Sequence, residues 1–135
     1  MQDYNVIWVF NEAADKALFC KRYKDPYKGL YNLVGGKIES NEDRLAAAYR
    51  ELREETGITE IKLFHVMDFT YFLRDACRVE VYFGKLNAET EVRGDEKELV
   101  WLDVNENFFD MSRFAGEGNI GHIYEIIKQN IDQVR

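Results

Sequence analysis

Residues 35–58 read GGKIESNEDRLAAAYRELREETGI, a glycine pair followed by an amphipathic segment and a third glycine. Apolar residues recur in this segment at the spacing of one helical face, which predicts a helix from about Asn41 to Thr56. The residues expected on its buried face are Leu45, Ala48, Tyr49 and Leu52. Ser40 or Asn41 is the expected N-cap, and Gly57 is the expected C-terminal cap. The stretch therefore predicts one helix with defined ends.

Carboxylates lie at both ends of this predicted helix. Glu42 and Asp43 fall in its first turn, where the helix dipole favours negative charge. Glu51, Glu54 and Glu55 crowd its last turns, where the dipole disfavours negative charge. Like charges three or four residues apart cost roughly 0.2–0.5 kcal/mol per pair in an isolated helix. The C-terminal glutamates therefore need an explanation.

Two interpretations of these glutamates are open. One is a solvated charged face, in which Arg50 pairs with Glu54 four residues further on. The other is a site for a hard divalent cation, since such ions prefer oxygen ligands and would relieve the repulsion between the carboxylates.

The spacing of the charged residues favours the cation site. It matches, at every fixed position from Gly36 to Ile58, the pattern G-x5-E-x7-R-E-U-x-E-E-x-G-U, in which U is a bulky aliphatic residue. The chain thus resembles the Nudix hydrolase superfamily, whose signature this is. The resemblance implies an α/β fold of the Nudix type, an α/β/α sandwich with a mixed β-sheet, and a single Nudix hydrolase domain over residues 1–135.

The composition fits one domain with a single core. The chain has 135 residues, of which 46% are hydrophobic, and a net charge of −7 that argues against a nucleic-acid polymer as partner. It has no long apolar run, so no membrane association is expected. Cys20 and Cys77 are far apart, which predicts buried reduced thiols and a cytoplasmic location. His65 and His122 are isolated, so a zinc site is not expected.

Strands and one further helix are expected outside the central stretch. Short β-branched and aromatic runs predict strands, and apolar residues at helical spacing predict a final helix at 123–134. A short helix is expected at 104–109, and a glycine-rich break at 116–121. The expected strands are 4–10, 16–23, 32–34, 61–73, 78–86 and 99–102. We assign Trp8, Tyr23, Phe69, Tyr71, Phe72 and Trp101 to the interior rather than to a base-binding surface.

The resemblance implies a reaction. Nudix enzymes hydrolyse a nucleoside diphosphate linked to another group, using magnesium or manganese, and a nucleoside triphosphate gives the monophosphate and pyrophosphate. A metal ion held by carboxylates would neutralise the phosphates and help to generate hydroxide. We therefore expect a pyrophosphohydrolase that uses Mg²⁺, with Mn²⁺ as an alternative, and a small-molecule nucleotide as substrate. Homodimers are common in the superfamily, so a homodimer is a further expectation.

Roles for the central stretch come from the resemblance, position by position. Glu51 and Glu55 are expected metal ligands, and Glu54 is expected to be a ligand or the catalytic base. The carbonyl group of Gly35 is the expected backbone ligand. Arg50 is expected to orient a neighbouring glutamate rather than to contact the substrate.

A later acidic loop is the expected source of another catalytic group. Family members often add a metal ligand or base from such a loop, and residues 95–98 lie in the matching region, just before Trp101. Glu96 fits that distance best and Glu98 is close behind. Ordinary loop charge is the alternative for both.

Substrate contacts are expected outside the central stretch. Asn32 resembles the asparagine with which some MutT-like oxidised-purine nucleotide hydrolases contact the base, and its amide could instead satisfy the backbone. Phe114, Glu117 and Asn119 lie where those relatives place a base-recognition loop, with core packing as the alternative for Phe114. Arg22 and Lys37 are candidates for phosphate contacts, with solvated surface charge as the alternative.

The leading functional hypothesis is a MutT-like hydrolase of oxidised purine triphosphates such as 8-oxo-dGTP. One alternative is a Nudix hydrolase of a sugar nucleotide, ADP-ribose or a pyrimidine triphosphate. ADP-ribose hydrolases of the superfamily commonly carry a proline after the signature, and here the only proline, Pro26, precedes it. A further alternative is a non-catalytic nucleotide-binding domain, which the complete set of glutamates disfavours.

Overall fold

The computed structural model describes residues 1–73, 75–94 and 97–134. The strands are β1 (Gln2–Phe10), β2 (Lys16–Lys21), β3 (Tyr31–Asn32), β4 (Val34–Lys37), β5 (Phe64–Tyr71), β6 (Cys77–Lys85) and β7 (Glu98–Asp103). The helices are α1 (Arg44–Thr56) and α2 (Asn119–Asn130), and a 3-10 turn, Ile131–Val134, follows α2. In these ranges no helix is long and apolar enough to cross a membrane.

Strand β1 is the centre of a mixed sheet. It pairs in parallel with β6 along its whole length, from Gln2 opposite Cys77 to Phe10 opposite Lys85. On its other edge, β1 pairs antiparallel with β4 and, at Phe10, with β2. The sheet order is β3-β2-β1-β6-β5, with β7 added to β2. The predicted mixed sheet is confirmed.

The sheet is buried on both faces, each under one helix. Successive residues of a strand point to opposite faces, so Ile7 and Val9 of β1 join one core cluster with Leu52 of α1. Trp8 and Phe10 join the other cluster, together with Ile120, Ile123 and Ile127 of α2. These are the three layers of the predicted α/β/α sandwich, and burial on both faces explains why β1 is almost continuously apolar.

Helix α1 begins later than the sequence indicates. Its N-cap is Asp43, whose Oδ2 accepts a hydrogen bond from the backbone N–H of Ala46 at 2.9 Å, so the expected caps Ser40 and Asn41 were wrong. Leu45 was also wrongly assigned to the buried face, since it is 43% exposed. Arg44 takes the sheet-facing position of the first turn, where its guanidinium contacts Asp3 and Glu80.

The end of α1 is where the sequence predicts it. Gly57 adopts a left-handed conformation with φ of 80°, and its N–H donates to the carbonyl group of Arg53 at 2.9 Å. A left-handed residue is the usual way to end a helix, and glycine adopts it without strain. The C-terminal cap is therefore confirmed.

The C-terminal third differs from the sequence prediction. Residues 104–109 form turns rather than a helix, with side-chain caps from Asp103 and Asn107 that favour turns. Helix α2 begins at Asn119, so Gly121 lies inside the helix and not in a break. A Cβ atom at Gly121 would lie 2.5 Å from Cγ of Phe109, so the glycine makes room for that ring.

Two aromatic residues and one cysteine that the sequence assigns to the interior are not fully buried. Phe72 is 78% exposed and Tyr23 is 54% exposed, each just beyond the end of a strand. Cys20 is a buried free thiol as predicted, whereas the free thiol Cys77 is half-buried. Aromatic composition indicates a strand region, but it does not fix where the strand ends.

Candidate functional site

The glycine pair of β4 fits between β1 and α1. Gly35 has φ of 145°, and a Cβ atom there would lie 2.1 Å from the carbonyl oxygen of Asn5. Gly36 donates its backbone N–H to Oδ1 of the buried Asn5 at 3.0 Å. A Cβ atom on Gly36 would lie 2.5 Å from the carboxylate carbon of Glu51. The two glycines thus bring the Glu51 carboxylate directly against the β4 backbone.

Arg50 gathers the acidic groups of α1. Its Nη1 donates to Oε1 of Glu51 at 3.0 Å and to Oε2 of Glu54 at 3.2 Å. Its Nε and Nη2 donate to the carboxylate of Glu42, and Nη2 also donates to the carbonyl group of Lys37 at 3.2 Å. The guanidinium therefore holds Glu51 and Glu54 by charge-assisted hydrogen bonds and links α1 to β4.

Glu55 is the glutamate with an unmet bonding requirement. Its Oε1 accepts from Nζ of Lys97 at 3.2 Å, whereas Oε2 is buried and has no hydrogen-bond partner among the described residues. Burial raises the pKa of the Glu55 carboxyl, and the charge of Lys97 and the backbone N–H of Gly35 partly oppose that rise. A buried carboxylate oxygen without a partner is costly.

The donors around Glu55 fit a divalent cation. Glu51 and Glu55 supply carboxylate oxygens, which hard cations prefer, and Oε2 of Glu55 has no hydrogen-bond partner among the described residues. Among the described residues, Glu51, Glu54 and Glu55 do not form a group in which the ligand atoms all lie within 4.8 Å of one another. Arg50 holds Glu51 and Glu54, while Lys97 holds Glu55. Arg50 thus joins Glu51 to Glu54, while Glu55 pairs with a different cation.

One tight group does lie elsewhere in the described ranges. Ligand atoms of His65, Asp68 and Glu80 are within 4.8 Å of one another, with Nε2 of His65 2.6 Å from Oδ1 of Asp68. The expectation that His65 is isolated was therefore wrong. Glu80 is only 2% exposed, and its oxygens already accept from Tyr82 and the guanidinium of Arg44. Since Arg44 begins α1, this group lies at the opposite end of the helix from Glu55.

The pKa shift of Glu55 predicts a pH dependence of stability in the metal-free protein. A carboxyl whose pKa is raised by folding stabilises the fold below its unfolded pKa, and this contribution is lost as the pH rises through the folded pKa. Glu55→Gln removes the titration. In EDTA, we expect the free energy of unfolding of Glu55→Gln, relative to wild type, to increase as the pH rises above the unfolded pKa of a glutamate and through the raised folded pKa of Glu55.

Glu42 provides a control of opposite sign. The hydrogen bond from Arg50 lowers the pKa of Glu42, so its contribution is present above its unfolded pKa and lost as the pH falls. The relative stability of Glu42→Gln should therefore decrease as the pH rises. Urea denaturation at each pH measures both, and a pH-independent difference for Glu55→Gln would contradict the prediction.

Glu117 and Asn119, at the start of α2, form a hydrogen-bonded cluster with two tyrosines, which we call the late-loop cluster. The Glu117 carboxylate accepts from the hydroxyl of Tyr27 at 2.7 Å and from that of Tyr71 at 3.3 Å. Nδ2 of Asn119 donates to the Tyr71 hydroxyl at 2.8 Å. Glu117 and Asn119 thus share one hydrogen-bonded cluster through Tyr71. Tyr27 was not singled out by the sequence and Tyr71 was assigned to the interior, because their partners are far away in the chain and no local pattern links them.

Phe114 has a structural position rather than a base-binding one. It is 1% exposed and packs between Phe19, with ring centroids 5.5 Å apart, and Phe108, at 5.2 Å. Its neighbours exchange backbone hydrogen bonds with Tyr31 of β3, from Tyr31 N–H to Arg113 and from Ala115 N–H to Tyr31. A base cannot stack on a ring enclosed in this way, so the core alternative replaces the stacking role.

The other substrate candidates have distinct environments. Oδ1 of Asn32 accepts from the backbone N–H of Leu33 at 2.8 Å, and the described residues give its Nδ2 no partner. Nε of Arg22 donates to the carbonyl group of Pro26 at 2.7 Å, so this guanidinium holds its own loop. Lys37 has an exposed side chain. The amide of Asn32 is therefore held in one orientation, with its Nδ2 free to donate a hydrogen bond.

The acidic loop before β7 presents a lysine rather than Glu98 to the site. Leu99 and Trp101 pack with the α1-side cluster, while Val100 and Leu102 pack on the α2 side. By this alternation Glu98 points to the α2 side, away from Glu55. Lys97, which the sequence interpretation missed, points to Glu55. Glu96, the other predicted catalytic residue of this loop, lies outside the described residues.

The structure is an α/β/α sandwich in which the acidic end of α1 packs against the glycine pair of β4, and these features can be compared with known families. A profile of the family described as the NUDIX domain matches residues 2–121. The chain therefore belongs to the Nudix family, and the predicted class of enzyme, a Nudix hydrolase of the pyrophosphohydrolase type, is confirmed.

Named relatives differ in their substrates. The chain is 43% identical over 108 residues to an ADP-ribose pyrophosphatase of Methanocaldococcus jannaschii, covering 70% of this chain and 58% of that protein. It is 37% identical over 140 aligned positions to an RNA pyrophosphohydrolase of Pelagibacter ubique, covering 89% and 85%. Among solved structures, MutT from Aliivibrio salmonicida and Vibrio cholerae is similar at 26% identity, with a TM-score of 0.68 over 95% of this chain and 98% of that chain.

Proposed function

We propose that this protein hydrolyses a nucleoside diphosphate derivative with Mg²⁺, or with Mn²⁺ as an alternative. Within that class, we propose a purine nucleoside triphosphate such as 8-oxo-dGTP, converted to the monophosphate and pyrophosphate. The buried Oε2 of Glu55, which has no partner among the described residues, is the observation that carries this proposal. It lies in a site built of oxygen donors, which need a cation to complete them.

The side chains around the site have separate roles in this proposal. Glu51, Glu55 and the Gly35 carbonyl group would hold the cation, which would supply positive charge to neutralise the phosphates and would help to generate hydroxide. Arg50 keeps Glu51 and Glu54 in place. Glu54 is exposed and would accept the proton from the attacking water, whose oxygen bonds to one phosphorus of the α–β anhydride as the bond from that phosphorus to the bridging oxygen breaks, which gives the monophosphate and pyrophosphate.

Recognition of a purine rests on Asn32 and the late-loop cluster. The amide group of Asn32 is oriented by the Leu33 N–H, which leaves Nδ2 free to donate to an acceptor on a base. Glu117 offers a carboxylate acceptor and Asn119 a second amide, held by tyrosine hydroxyls. Together they provide both donors and acceptors, as the polar edge of a purine requires.

Asn32→Ala is expected to weaken use of 8-oxo-dGTP selectively. Loss of one or two hydrogen bonds of about 0.5–1.5 kcal/mol each should lower kcat/KM for this substrate by a factor of roughly 2 to 140. Asn32 does not touch the α1 glutamates, so pyrophosphate release should keep its dependence on Mg²⁺. Steady-state kinetics on 8-oxo-dGTP and dCTP measure the change, and Asn87→Ala, at an exposed asparagine in the loop after β6, is the matched control. An equal loss for both substrates would contradict a base-reading role.

ADP-ribose is the second candidate substrate. Its support is the 43% identity to a protein named ADP-ribose pyrophosphatase, which is higher than the 26% identity to the MutT structures. Against it stands the missing proline after the signature. The same cation site would serve either substrate, because both contain a diphosphate.

A substrate panel with product identification tests the proposal. It contains 8-oxo-dGTP, dGTP, dCTP, ADP-ribose, a sugar nucleotide and 5′-triphosphorylated RNA, each with Mg²⁺ and with EDTA. The proposal predicts Mg²⁺-dependent release of pyrophosphate, not orthophosphate, with 8-oxo-dGTP turned over fastest. Faster hydrolysis of ADP-ribose would transfer the assignment to the second candidate. Tight nucleotide binding without turnover in any divalent metal would indicate the non-catalytic alternative.

Assembly and location are further parts of the proposal. We infer a homodimer from its frequency in the superfamily, and sedimentation of the purified chain would measure it. A cytoplasmic location, inferred from the free cysteines, is tested by cell fractionation.

A further inference from the structure

The segment that carries Lys97 is anchored to the end of α1. The backbone N–H of Arg93 donates to the carbonyl group of Thr56 at 2.9 Å. A Cβ atom on Gly94 would lie 2.2 Å from the carbonyl oxygen of Lys97, so the chain approaches itself closely there. Leu99 packs in the same cluster as Leu52 of α1. Residues on both sides of positions 95 and 96 thus contact α1, and Lys97 reaches Glu55 on a long flexible side chain.

The contact that Lys97 makes is easily broken. Its Nζ lies 3.2 Å from Oε1 of Glu55, which is its single hydrogen bond among the described residues, and its side chain is 34% exposed. Arg50, by contrast, makes five hydrogen bonds to four groups around the same site. Of Arg50 and Lys97, which pair with the α1 glutamates in the described part of the chain, Lys97 has the weaker hold and can leave at small cost.

We propose that Lys97 is an exchangeable counter-ion, which pairs with Glu55 before metal binds and moves to a substrate phosphate once a divalent cation occupies Glu55. The inference rests on the proposed function, in which Glu55 is a metal ligand. Lys97 is then a positioning residue for the empty site and a phosphate contact in the loaded one.

Electrostatics explains the exchange. A divalent ion carries twice the charge of the ammonium group, and two cations beside one carboxylate repel each other. The ion can also reach Oε2 of Glu55, which the ammonium leaves without a partner. A displaced ammonium would remain tethered beside the site, where a bound polyphosphate would supply negative charge.

Two binding measurements without turnover test the exchange. The first is Mn²⁺ affinity by electron paramagnetic resonance at pH 8 without nucleotide. The second is the affinity for α,β-methylene-dGTP at saturating Mn²⁺, by calorimetry. For Lys97→Met we expect Mn²⁺ to bind about threefold to tenfold more tightly, because its competitor is gone, and the analogue to bind about threefold to tenfold more weakly.

Matched variants separate this result from general damage. Lys97→Arg keeps the charge and should restore both affinities towards the wild-type values. Lys128 on α2 also makes an ion pair with a glutamate, Glu125, away from the site. Lys128→Met should therefore change neither affinity. An unchanged or weaker Mn²⁺ affinity in Lys97→Met, or an unchanged analogue affinity, would overturn the exchange.

Failure of the proposed function would give a different pattern of Mn²⁺ affinities. Glu55→Gln should bind Mn²⁺ at least tenfold more weakly than wild type if Glu55 is a ligand. If Glu55→Gln binds Mn²⁺ as wild type does, the metal site and the exchange both fail. If Glu55→Gln weakens binding but Lys97→Met does not strengthen it, only the exchange fails.

Discussion

Glu55→Gln is expected to lower kcat/KM for nucleotide hydrolysis by about 10³-fold or more, with the fold intact. The amide has the shape of the carboxylate, so packing at the end of α1 is kept. It lacks the charge that would hold a cation, and it cannot replace Oε2 as a ligand for a hard ion. Because Oε2 of Glu55 is buried without a partner, loss of the charge should not lower stability at neutral pH.

Kinetics and unfolding together decide this prediction. Pyrophosphate release in Mg²⁺ gives kcat/KM, and urea denaturation in EDTA gives the free energy of unfolding. Glu125→Gln on the exposed face of α2 is the matched control and should leave kcat/KM unchanged. Full activity of Glu55→Gln would remove Glu55 from the site, while loss of activity together with unfolding would point to a structural role.

Gly36→Ala is expected to lower kcat/KM by roughly 10²-fold with little loss of stability. Its new Cβ atom would lie 2.5 Å from the carboxylate carbon of Glu51, which is the end of a flexible side chain. The carboxylate can move aside at small cost to the fold. It would then leave the position in which Arg50 and the β4 backbone hold it, and the site would lose a ligand.

Gly35→Ala is the comparison that makes this prediction specific. Its Cβ atom would lie 2.1 Å from the backbone oxygen of Asn5, at a φ of 145° that favours glycine. Backbone cannot yield as a side chain does, so pairing of β1 with β4 should be disrupted and the protein strongly destabilised. Thermal unfolding and kcat/KM of both variants provide the measurement. Equal activity of Gly36→Ala and wild type would show that Glu51 need not lie against Gly36.

Local patterns predicted the parts of the site that lie on one element. The α1 glutamates, the pairing of Arg50 with Glu54 and the cap at Gly57 all depend on residues within one or two helical turns, where spacing fixes which side chains meet. The start of α1 was less well predicted, because Ser40, Asn41 and Asp43 are all good N-caps and the ion pairs of Arg44 decide between them.

Contacts between distant segments could not be predicted in this way. Lys97 meets Glu55 across 42 residues, and Tyr27 meets Glu117 across 90. Neither pair belongs to a periodic pattern, so their meeting depends on how the strands are ordered in the sheet. Whether Lys97 or Glu98 faces Glu55 depends on the register of β7, because a shift of one residue exchanges the two faces of a strand.

Location of a bound metal ion tests the central claim most directly. Crystals grown with Mn²⁺ and α,β-methylene-dGTP can be measured at a wavelength where manganese scatters anomalously. The proposed function predicts an anomalous peak within ligand distance of Glu51 and Glu55, next to the Gly35 carbonyl group and the phosphates. No peak at these residues, or a peak only at His65, Asp68 and Glu80, would contradict it.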